Sequence, residues 1–141
     1  MQTPEKTIVN IEAAINAPVK KVWEVWTTPE HIMKWNSASD DWHTTKAEND
    51  LRVGGKFLSH MEAKDGSFGF DFSGVYDEVQ PESVIAYTLG DDRKVSVNFT
   101  ADGDQTLITS TFEAESENPV EMQKGGWQAI LNNFKSYTEG L

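Results

Sequence analysis

A chain of 141 residues with 38% hydrophobic content, five Trp, seven Phe and three Tyr is sized for one domain, 1–141, and is too aromatic for disorder. Lys and Arg number 12 against 23 Asp and Glu, a formal charge of −11 that excludes nucleic-acid and polybasic membrane binding, because it repels phosphate backbones and anionic lipid. There is no cysteine, which excludes disulfides, thiolate metal ligands and a thiol nucleophile.

The N-terminus, MQTPEKTIVNIEAAI, lacks a basic region followed by an apolar run of signal-peptide length. No run of about 18 apolar residues occurs anywhere, so the expectation is a cytoplasmic protein without a membrane span. Residues 8–16, IVNIEAAIN, place Val9, Ile11, Ala13 and Ile15 at period two, a strand with one buried face. Pro18 then suits the first turn of a helix, in which Val19, Val22, Trp23 and Trp26 share one face. Thr28-Pro29-Glu30 supplies a capping hydroxyl and a proline for a second short helix carrying Ile32, Met33 and Trp35.

From Arg52 to Glu113 the pattern is a meander of antiparallel strands. Asp65-Gly66, Pro81-Glu82, Gly90-Asp91-Asp92 and Asp102-Gly103-Asp104 punctuate it, and Gly54-Gly55 precede KFLSHMEA. Phe68, Phe70 and Phe72 give one aromatic strand face, and Gly74 signals a bulge. At the end, Asn118 as cap and Glu121 as its capping-box partner open a helix with Trp127, Ile130, Leu131, Phe134 and Tyr137 on one face. Gly125-Gly126 inside it cost roughly 1 kcal/mol each relative to alanine. That predicts a close approach to a strand, a bend, or a helix that becomes regular only at Trp127. Strand, two short helices, strands and one long helix make the class α+β.

The run TTPEHIMKWNSASDDWHTTKAENDLRVGGKF, then Met61, Asp65-Gly66, Gly74 and Gly126-Trp127, resembles the SRPBCC or START-like superfamily. Within it, the chain looks like the branch named after the C-terminal domain of the heat-shock ATPase activator, from about Ile8 to Tyr137. The resemblance implies a helix-grip fold, as in birch-pollen-allergen-like proteins. A curved antiparallel sheet of about seven strands then wraps the long C-terminal helix, with two short helices between strands 1 and 2. It also implies a space between sheet and helix that is either filled or hollow. Relatives bind lipids, polyketides or flavonoids, and some are cyclases.

On that fold the candidates to line a cavity are Trp35, Trp42, Phe57, Met61, Phe70, Phe72, Tyr87, Phe99, Trp127, Ile130 and Phe134. The alternative is that the same side chains fill a solid core. In MKWNSASDDWH, Trp35 is the inward anchor and Asn36 to Asp41 a polar rim. Alternation sends Trp42 inward and His43 outward, with a proton-shuttle role for His43 beside Asp40 and Asp41 as the competing placement. His60 and Glu62 share a solvent face opposite Phe57, Ser59 and Met61.

The three histidines, His31, His43 and His60, show no metal-ligand spacing, so no metal and no cofactor are expected. No nucleophile elbow, phosphate loop or dinucleotide fingerprint occurs. Acid–base chemistry is left with His43, Asp71, Tyr76 and Tyr87, unranked because one residue of register reverses every face. The leading expectation is a non-catalytic binding protein, monomer or weak homodimer, for an apolar or aromatic small molecule. A cyclase- or hydrolase-type enzyme in the same cavity is the alternative. A co-chaperone-like protein interaction, motivated by the family name alone, is the third.

Overall fold

The computed structural model describes residues 7–37, 39–90, 92–115 and 118–141. The signal-peptide reading over residues 1–6, Ala38 of the rim and Asp91 of its turn lie outside them. Strand β1 (Ile8–Ile15) leads into helices α1 (Val19–Thr27) and α2 (Pro29–Trp35). Six strands follow: β2 (Trp42–Asn49), β3 (Lys56–Ala63), β4 (Gly69–Gln80), β5 (Val84–Leu89), β6 (Lys94–Asp102) and β7 (Gln105–Glu113). Helix α3 (Val120–Glu139) ends the chain.

All seven strands form one antiparallel sheet in the order β1-β7-β6-β5-β4-β3-β2. The meander accounts for β2 to β7, and the register Ile11↔Ser110 adds β1 to its far edge. Positive φ at Gly54, Gly66, Gly103, Glu82 and Asp92 falls within the turn signals read from the sequence. The sheet and α3 are the α+β helix-grip arrangement, with α1 and α2 packed at one end.

The core collects where β1, β6 and β7 meet the helices: Ile15, Val22, Val97, Ile108, Phe112 and Phe134 are buried. α3 lies along β1 and touches α1 and α2 through its C-terminal half, while its backbone stands off the arm formed by β3 to β5. Polar tethers hold that half. Lys135 Nζ donates to Ala14 O at 2.5 Å, Asn16 N–H to Glu139 Oε2 at 2.8 Å, and Asn133 Nδ2 to Trp35 O at 2.8 Å. Nδ1 of His31 lies 2.7 Å from the Tyr137 hydroxyl.

Several local expectations are corrected. Pro18 is the residue before α1 and not in its first turn; its ψ of 153° is extended, and its carbonyl accepts Val22 N–H. Thr28 precedes α2 but gives no side-chain cap, because its carbonyl takes His31 and Ile32 N–H while the hydroxyl stays unused. α3 starts after Pro119, so Asn118 is one residue too early to cap it and no capping box with Glu121 forms. Gln123 fastens that end instead: its Oε1 accepts Glu115 N–H at 2.8 Å and its Nε2 donates to Asn118 O at 2.8 Å.

The glycines are corrected as well. The β4 bulge lies between Tyr76 and Glu78, not at Gly74. Gly74 faces Phe57 across the β3–β4 pair, and a Cβ on it would fall 2.8 Å from Phe57 Cε1 and 2.8 Å from Thr88 O. A ring laid over a strand glycine is why the position carries no side chain. Helix α3 runs through Gly125 and Gly126 with nothing within 4 Å of either Cβ position, so neither a strand approach nor a late helix start accounts for them.

Candidate functional site

Sequence left a filled space or a hollow one, and the fold contains both. At the α1–α2 end the wedge is filled with rings: Trp26 meets Trp35 at 4.9 Å and Phe134 at 4.9 Å, and Phe99 at 5.7 Å. The Trp35 indole N–H donates to Val25 O at 3.0 Å and so locks this cluster to α1. Beyond it, where α3 stands off the sheet, a cavity of about 390 Å³ opens.

Three walls enclose the cavity. The sheet offers Phe57, Ser59 and Met61 from β3, Phe70, Phe72 and Tyr76 from β4, and Ile85 and Tyr87 from β5, with Ile11, Val97 and Ser110 from the other arm. Alternation explains the set, since 57, 59 and 61 on β3 and 70, 72 and 76 on β4 project from the same face of the sheet. α3 offers Trp127, Ile130 and Leu131, and α1 and α2 close the end with Trp26, Ile32 and Trp35. Asn36, Glu48, Asn49, Arg93, Glu115, Asn118 and Gln123 add polar groups from strand ends, turns and the start of α3.

Rings set the shape. Trp127 stacks on Phe112 at 4.2 Å and 11° and meets Phe72 edge-on at 6.0 Å, so it bridges helix and sheet. Phe57 stands edge-on to Tyr87 at 4.8 Å. Among the expected lining residues, Trp35, Phe57, Met61, Phe70, Phe72, Tyr87, Trp127 and Ile130 are brought together here. Three others are not lining residues. Phe99 and Phe134 belong to the filled end, where Phe99 packs on Trp23 and Trp26 and Phe134 on Trp26 and Trp35. Trp42 shares the concave face with Thr44 but packs at the sheet end against Phe68 at 5.9 Å and Phe70 at 6.0 Å.

The four acid–base candidates divide by face. His43 Nε2 lies 3.3 Å from Glu62 Oε1, and Asp71 Oδ1 lies 2.8 Å from His60 Nδ1. Both belong to the solvent face of β2, β3 and β4, so the sheet separates them from the cavity, and Asp40 and Asp41 play no part in holding His43. Tyr76 and Tyr87 remain inside, paired across β4 and β5. The Tyr76 hydroxyl donates to Asn49 Oδ1, and Asn49 Nδ2 donates to Thr27 O at 2.7 Å, so Asn49 ties β2 to both β4 and α1. Burial pushes the Tyr76 phenol well above its ordinary value against the opposing pull of that bond; burial, with the Tyr76 charge second, does the same to Tyr87. Both phenols are neutral donors at any physiological pH. Among the described residues no three His, Cys, Asp or Glu side chains gather to hold a metal ion.

Apart from Asn36 of the expected rim, sequence reading missed the polar lining. Ser59 could be found, since it alternates with Phe57 and Met61. Asn49, Glu115 and Gln123 carry no sequence signal, because each is placed by a partner distant along the chain or by the turn before α3.

A family model described as Activator of Hsp90 ATPase homolog 1-like protein matches residues 16–139. The chain belongs to that family. Two proteins solved in solution share its architecture. An AHSA1-like protein from Aeromonas hydrophila is 43% identical, with a TM-score of 0.90 over 95% of this chain and 93% of that one. A protein from Cytophaga hutchinsonii is 53% identical, with a TM-score of 0.81 over 94% and 92%. A Chromobacterium violaceum protein at 23% identity and a TM-score of 0.84, over 94% of this chain and 98% of that one, shares the fold. No match was found among curated proteins. The START-like resemblance read from the sequence thus holds, and no helix among the described residues is long and apolar enough to cross a membrane.

Proposed function

We propose that this AHSA1-like protein binds an apolar, ring-containing small molecule in the cavity between the sheet and α3, without chemically altering it. The observation that carries the reading is the unfilled 390 Å³ between β3–β5 and Trp127, walled by aromatic side chains. Small-molecule sites run from roughly 300 to 1,000 Å³ and are lined in this manner, apolar with a few placed polar groups. The volume lies toward the small end of that range, which suits a compact polyketide- or flavonoid-like compound better than a long lipid chain. Catalysis in the cavity would have to proceed without His43 and Asp71, which face the other way, and with phenols that hold their protons.

Titration with a panel of flavonoids, aromatic polyketides and fatty acids tests the proposal. Trp26, Trp35 and Trp127 line the cavity, so a bound ring should change tryptophan emission. Occupancy should also raise the melting temperature by mass action, about 2.7 kcal/mol of stabilisation at a ligand concentration one hundred times Kd. Unchanged emission and stability across the panel, with no co-purifying compound in native mass spectrometry, would overturn it. The family description also carries a co-chaperone reading, and an unchanged chaperone ATPase rate on adding this protein would dispose of that one.

A further inference from the structure

Tyr87 is a buried residue of the cavity wall whose hydroxyl has no partner among the described residues. The residue is 9% exposed, lies on the cavity wall and is held edge-on by Phe57 at 4.8 Å. Thr138 Oγ1 in α3 is also buried without a partner but does not line this cavity, whereas the Tyr87 hydroxyl, on the wall, makes no hydrogen bond to the described residues. Tyr76, its neighbour across β4 and β5, is the contrast, since its hydroxyl is committed to Asn49. A buried phenol is ordinarily hydrogen-bonded, and an unpaired one loses what its bonds to water were worth. A wall needing only to be filled is better served by phenylalanine.

The surroundings limit what the hydroxyl can meet. Burial first and Tyr76 second disfavour charge on it. The charged lining residues, Glu48, Arg93 and Glu115, come from the end of β2, the β5–β6 turn and the segment after β7. An anionic group in this lining would meet Glu48 and Glu115 as well as Arg93, so its burial is costly. A neutral oxygen acceptor carries no such penalty.

We propose, on the footing that the cavity is a ligand site, that Tyr87 is its polar anchor and donates its hydroxyl hydrogen to an uncharged carbonyl oxygen of an otherwise apolar ring ligand. Fluorenone and fluorene, near-isosteric and differing in one carbonyl, are the probes, with binding read by equilibrium dialysis. Wild type should bind fluorenone about tenfold more tightly than fluorene, the worth of one buried hydrogen bond. Tyr87→Phe should bind both at the fluorene level and melt no lower than wild type, because the deleted hydroxyl has no partner inside the protein.

Equal affinity of wild type for the two probes overturns the anchor while leaving the cavity a ligand site. A fluorenone preference that survives in Tyr87→Phe overturns it too, and moves the donor to Ser59, Ser110 or the Trp127 indole, which line the same space. If wild type binds neither probe, the ligand-site reading fails for compact rings, and the anchor falls with it.

Discussion

Gly74→Ala is expected to destabilise the protein, although replacing a strand glycine usually does the reverse. The added methyl would lie 2.8 Å from Phe57 Cε1, 2.9 Å from Phe57 Cζ and 2.8 Å from the carbonyl oxygen of Thr88. The ring can swing away, but only into the cavity it walls; the carbonyl is backbone in the neighbouring strand and cannot yield cheaply. Overpacking of this kind costs about 1–3 kcal/mol. The narrower unfolded ensemble of alanine returns about 0.4–1 kcal/mol. The net loss is therefore about 1–2 kcal/mol, and with a urea m-value of about 1–3 kcal/mol/M the midpoint should fall by roughly 0.5–1 M. Urea unfolding followed by tryptophan fluorescence measures it, with m unchanged between variants. Adding Phe57→Leu should recover the part of the loss due to the ring and leave the part due to Thr88. A Gly74→Ala protein as stable as wild type would refute the view that Phe57 and Thr88 fill the space above this glycine.

Gly125→Ala and Gly126→Ala should each stabilise by about 1 kcal/mol, raising Tm by about 2–4 °C in thermal melts, because both Cβ positions are open; a lower Tm would show that α3 needs the freedom of its glycines. Tyr76→Phe should cost about 1 kcal/mol in the same urea assay, since it strands Asn49 Oδ1, and no loss at all would argue that water replaces the bond. Asp71, at 2.8 Å, and then Glu62 raise the His60 pKa above 6.5. The stabilisation is thus fully present below the unfolded value and is lost as pH rises through the higher folded one. Stability should fall more for wild type than for His60→Gln from about pH 6 to 8. An NMR titration placing His60 at or below 6.5 would contradict this.

How much was legible follows from the range of the forces involved. Period-two apolar runs and turn residues act within a few positions, so β1, the hairpin turns and the facing of Trp42 and His43 could be read from alternation. The local signals failed where several solutions compete for one job. Asn118 looked like a cap, yet Pro119 precedes the helix and Gln123 reaches back to tie the same end. Gly74 looked like a bulge, yet its reason is a ring on the next strand.

By itself the sequence determined the order of elements, the α+β class, which side chains alternate to one face, and the absence of thiol chemistry. Only the tertiary structure decided where that face is filled and where it is hollow. The distance between α3 and the sheet depends on rings from four elements meeting at once, and no single stretch encodes it. It moved Phe99 and Phe134 into the solid end, set His43 and Asp71 on the far side of the sheet, and gave Tyr76 a partner in Asn49. For the same reason it left Tyr87, alike in sequence, on the cavity wall with no partner for its hydroxyl among the described residues.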